Sequence, residues 1–125
     1  MTKKKKANSK LNEIKVPILN DEYCVFVIWG NREKAIMAIK KYYDEGFNSA
    51  LGDLRNQRGV TFYTEKKYPI IWLDDENPYM VATLAHEAVH AVGYIFDFIH
   101  EESKTEVFAH SVGAIVREFL RKYKK

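Results

Sequence analysis

Apolar residues run without interruption from Tyr23 to Trp29, mostly β-branched or aromatic, which predicts a strand covered on both faces and ended by Gly30. The period then changes. Asn31 can cap a helix from Arg32 to about Asp44, with Ala35, Ile36, Ile39 and Tyr43 on its inner side and Gly46 as its stop. Residues 46–58 mix two glycines with polar residues and read as a loop with room for one helical turn. From Gly59 the pattern alternates, Val60, Phe62 and Thr64 against Thr61 and Tyr63, and Ile70 to Leu73 is the partner strand across a turn from Glu65 to Pro69. Asp74, Asp75 and Glu76 precede Asn77-Pro78, a cap followed by proline at the first helical position; this opens a long apolar helix running to about Phe98. Its predicted core face is Ala82, Ala85, Val89, Val92, Phe96 and Ile99. After a connection at His100 to Ser103, a last helix ends near Arg121, burying Phe108, Val112, Ile115 and Phe119, with Arg117, Arg121, Lys122, Lys124 and Lys125 towards its C-terminal end. Before Tyr23, Asn8 to Lys15 is polar and reads as loose, with Leu11 and Ile14 able to make a turn of helix. The expected class is α+β, in the order β-α-β-β-α-α. A small mixed or antiparallel sheet packs on the long helix.

The chain has 125 residues, enough for one domain, and 46% of them are apolar, enough for one core. The expected division is a basic, disordered tail over residues 1–15 and a single domain over residues 16–125. The formal charge of +3 has a local origin: Lys3 to Lys6 carry +4, and the rest holds 16 basic against 17 acidic residues. A near-neutral body carries no nucleic-acid footprint, so the lysine run reads as a solubilising tail. The one cysteine, Cys24, cannot form an internal disulfide and reads as a small buried hydrophobe. No uncharged apolar stretch reaches 18 residues and no apolar segment follows the N-terminal charge, so the expectation is a cytoplasmic protein without a membrane span.

The chemistry lies in the long helix, where residues 86 to 90 spell H-E-x-x-H. By this chain's composition the pattern arises by chance in about one such sequence in a hundred. Histidines four apart on a helix differ by about 40° in azimuth and about 6 Å along the axis, so His86 and His90 can hold one Zn²⁺ per chain. Glu87, about 100° round, can reach a water on the open side of the metal and serve as general base. The competing reading is a pair of core histidines bonded to backbone, with Glu87 reaching solvent. Burying two imidazoles and a carboxylate without a strong partner is costly, which weighs against it.

A catalytic zinc takes three protein ligands. Candidates for the third are Asp97, His100, Glu101, Glu102, Glu106 and His110. Asp97 shares the histidines' azimuth but sits about 10 Å further along the helix than His90. Glu106, His110, Gly113 and Arg117 form one face of the last helix, and Gly93 and Gly113 offer a place for the two backbones to approach. Glu106 can equally close a capping box that begins at Ser103. The ligand reading is preferred, because a site of two histidines and a glutamate draws its carboxylate from a neighbouring element.

With HEAVH on one helix and Glu106 on the next, residues 59–120 resemble the gluzincin metallopeptidases, and the small size is similar to the minimal single-domain members often encoded by phages and mobile elements. The stretch EVFAH is similar to the glutamate helix of that family. The resemblance implies a zincin-like fold, zinc bound by His86, His90 and Glu106, Glu87 as general base, and hydrolysis of a peptide or protein substrate. Where many members carry an aspartate four residues after the ligand glutamate, this chain has His110, leaving it as an orienting residue, an oxyanion donor or an alternative ligand. Tyr94 and Tyr79 are further oxyanion-donor candidates. An exposed strand edge, 59–64 or 70–74, would hold an extended peptide. The alternative function is a zinc-stabilised binding or regulatory protein without turnover.

Overall fold

The fold is described from a computed structural model, in which residues 11–19, 21–40, 57–63, 68–99 and 106–123 are described. Its elements are β1 (Leu11–Ile18), β2 (Tyr23–Gly30), α1 (Arg32–Lys40), β3 (Gly59–Tyr63), β4 (Pro69–Asp74), α2 (Met80–Phe98) and α3 (Glu106–Tyr123). The four strands form one mixed sheet in the order β1-β2-β4-β3. β1 is antiparallel to β2, β2 parallel to β4, and β3 antiparallel to β4.

Strand period sorts the side chains into two layers. Val25, Val27 and Trp29 of β2, Ile71 and Leu73 of β4, and Val16 and Ile18 of β1 point to one face, which α2 and α3 cover with Leu84, Ala88, Ala91, Val92, Ile95, Phe96, Ile115 and Phe119. Ile28, Phe62, Ile70 and Trp72 point to the other, where α1 adds Ala35 and Ile39. The continuous apolarity of β2 thus has the cause expected of it: both of its faces are covered. Asn31 caps α1 through a hydrogen bond from Lys34 N to its Oδ1 (3.1 Å), and Cys24 is buried. Burial raises the Cys24 thiol pKa, against a smaller lowering by Lys15.

Four expectations are corrected. Residues 11–18 are a strand, not a loose segment or a turn of helix. Ile14, Val16 and Ile18 alternate with Glu13, Lys15 and Pro17, and Pro17 is tolerated because β1 lies at a sheet edge. β4 is interior, which leaves β3 as the edge on the α2 side. The buried stripe of α2 is rotated about a quarter turn from the predicted face: Val92 and Phe96 are buried as expected, but Ala82 and Val89 are exposed, and Leu84, Ala88, Ala91 and Ile95 complete the stripe. α2 begins at Met80, not at Pro78; Asn77 Oδ1 accepts from Tyr79 N (2.7 Å), an Asx-turn leading into the helix. Tyr43, Gly46, residues 64–67 and residues 100–105 lie outside the described residues.

Candidate metal centre

Rotating the buried stripe of α2 onto Leu84, Ala88 and Ile95 sets the positions of the other residues on that helix. His86 and His90 turn outward, the His86 side chain 69% exposed, and their rings meet edge to face with centroids 4.9 Å apart. Their Nε2 atoms are 3.2 Å apart. Two nitrogens each about 2.0–2.1 Å from one tetrahedral ion stand at nearly that separation, so the pair fits a shared zinc. The same distance also permits one neutral ring to donate to the other. Being exposed, they are not the core histidines of the competing reading.

Glu87 turns towards the sheet edge. Its side chain is only 12% exposed and its Oε2 is 4.0 Å from His86 Nε2. Thr61 of β3 donates its hydroxyl to Glu87 Oε1 at 2.7 Å, with the Glu87 carbonyl oxygen 3.1 Å from the same Oγ1. This contact is the middle one of three along the edge strand. Two residues before it, a Cβ on Gly59 would stand 2.4 Å from Thr83 Cγ2, and two residues after it Tyr63 stacks on Tyr94 with ring centroids 4.5 Å apart. Residues 59, 61 and 63 of one strand face thus meet residues 83, 87 and 94 along one side of α2. Burial, then the Glu87 carboxylate, then the Tyr94 phenol push the Tyr63 pKa above the usual tyrosine range. Tyr63 therefore keeps its proton at neutral pH and can donate a hydrogen bond.

The third expected ligand is not brought to the pair. Glu106 is 93% exposed, and its Oε2 lies 3.8 Å from His110 Nε2, itself exposed. On α3 Glu106 stands half a turn round from Ile115, and Ile115 is buried in the core. Near the start of α3, Phe108 meets Phe96 edge to face (5.2 Å), six residues past His90 on α2. The expected close approach of the helices at Gly93 and Gly113 is corrected as well: a Cβ at either would meet nothing within 4 Å. Asp97 is exposed on α2, and His100, Glu101 and Glu102 lie outside the described residues. Among the described residues no three His, Cys, Asp or Glu side chains gather as a metal-binding group.

Tyr94 does reach the site, as a stacking partner of Tyr63 and not as a lone donor. Thr61 and Tyr63 were not among the expected site residues. Their signal was the alternation of β3, which puts Gly, Thr and Tyr on one face and Val60 and Phe62 on the other. Compared with protein-family models, with curated proteins and with solved structures, the chain matches none. Among the described residues no helix is long and apolar enough to cross a membrane.

Proposed function

We propose that this protein is a zinc-dependent peptide hydrolase in which His86 and His90 hold the metal and Glu87 is the general base. The observation that carries the reading is the convergence of the two Nε2 atoms to 3.2 Å with the Glu87 carboxylate beside them. A zinc ion bound there would supply Lewis acidity, lowering the pKa of water and polarising a carbonyl group. Glu87 takes the proton from the attacking water and returns it to the leaving amine. Tyr63, two residues along β3 from the Thr61 that holds Glu87, is the candidate donor to the developing oxyanion. β3, the sheet edge beside Glu87, offers backbone groups to an extended peptide. The zincin resemblance supports the same reading through HEAVH.

A second reading, a zinc-binding regulatory protein without turnover, is favoured by one observation: among the described residues only two metal ligands stand together. Glu87→Gln separates the two. It keeps the shape and hydrogen bonding of the side chain, so zinc content should persist while peptide hydrolysis falls by about 10²–10⁴-fold. A wild type that cleaves nothing in a broad peptide library supports the regulatory reading. Equal cleavage by the variant removes Glu87 as base.

A further inference from the structure

We infer that Thr61 is the positioning residue of Glu87, so that the edge strand β3 sets the aim of the general base; this rests on the hydrolase reading proposed above. A glutamate side chain has three rotatable bonds, and on an exposed helix it samples several rotamers. Glu87 is not free in this way. Its Oε1 accepts the Thr61 hydroxyl at 2.7 Å, while Oε2 faces His86 at 4.0 Å. One carboxylate oxygen is thus tied to the strand and the other is turned towards the histidine pair, the division of labour that a base acting on a water at that pair requires.

The tie is itself held at both ends. Upstream, the missing side chain of Gly59 lets the strand come against Thr83, and downstream the Tyr63–Tyr94 stack holds the same strand face against α2. Thr61 cannot drift from Glu87 unless β3 leaves the helix. The Glu87 backbone carbonyl lies 3.1 Å from the same hydroxyl, a longer contact that shares its one hydrogen with the carboxylate. The hydroxyl contributes nothing to holding metal, because it touches neither histidine in the contacts that fix it. Its effect belongs in turnover and not in zinc affinity. Replacing threonine by valine removes the hydroxyl and keeps a branched side chain, whereas serine keeps the hydroxyl.

The test uses the full chain, reconstituted with zinc, and a peptide the wild type cleaves. Thr61→Val should lower kcat by about 10- to 100-fold, the cost of a misplaced catalytic group, with KM within about threefold and zinc content unchanged. Thr61→Ser should recover most of kcat. A carbon-13 signal of the Glu87 carboxyl group, assigned by its loss in Glu87→Gln, should shift in Thr61→Val and stay in Thr61→Ser, which reads the contact in the zinc-free protein too. Wild-type kcat in a folded Thr61→Val overturns the inference, as does a Thr61→Ser variant no better than valine. If valine does not fold, an unshifted carboxyl signal together with wild-type kcat in Thr61→Ala overturns it in the same way. A wild type that cleaves no peptide removes the hydrolase reading first, and a wild type that cleaves while valine cleaves equally removes only this one.

Discussion

Glu106 and Ile115 stand on opposite sides of α3, and the sequence contains the reason. Phe108, Val112, Ile115 and Phe119 repeat at helical spacing and must face the core, which turns Glu106, about 180° from Ile115, to solvent. Burial of that stripe is worth several kcal/mol, far more than an exposed carboxylate gains from any one contact. The same helix cannot present both faces inward. Glu106→Ala should therefore leave zinc affinity within about threefold, because its carboxylate is exposed and its partner among the described residues, His110, is exposed as well. Equilibrium zinc titration against a competing chelator checks this. A loss of orders of magnitude would mean that α3 presents Glu106 to the metal in the loaded protein.

At the scale of elements, the site depends on how closely β3 approaches α2. At Gly59 there is no room for a side chain: an added Cβ meets Thr83 Cγ2 at 2.4 Å and Leu73 Cδ2 at 3.3 Å. Thr83 is branched and has little freedom to retreat, and its hydroxyl accepts a hydrogen bond from Asn77 Nδ2 (2.9 Å). Gly59→Ala should cost about 1–3 kcal/mol in denaturant unfolding, the usual range for overpacking. Adding Thr83→Ser removes the clashing methyl and keeps the hydroxyl, so it should recover most of that loss. A Gly59→Ala variant of wild-type stability would show that the strand does not sit where it is described. Much of this layout was legible in the sequence. The β2 run, the α1 cap, the β3–β4 pairing and both long helices all follow from period and punctuation. The β1 strand did not, because Leu11 and Ile14 fit a helical spacing as well as Ile14, Val16 and Ile18 fit a strand. The face of α2 was ambiguous for a related reason. That helix is apolar on most of its circumference, so the periodicity alone fits more than one stripe. Thr61 was invisible as a site residue, since an alternating strand does not reveal which helix position will lie opposite it.

For the molecule as a whole, the sheet separates two layers, and the candidate site lies outside both. Leu84, Ala88, Ala91 and Ile95 of α2 complete the larger core, while His86 and His90 stand on the opposite, outward side of the same helix. α1 covers the far face of the sheet and Arg32 at its start pairs with Asp74 and lies over the Trp72 ring, 5.1 Å from its centroid. These contacts do not involve the histidines. Zinc bound at the histidine pair is therefore expected to add to stability by binding the folded state. The central claim, that His86 and His90 form a preformed metal pair, is tested most directly by titrating the folded, metal-free protein with zinc. The account predicts one zinc per chain, abolished by His86→Ala and by His90→Ala while both variants retain the wild-type circular dichroism. No stoichiometric binding by the wild type, or binding that survives both substitutions, would contradict it.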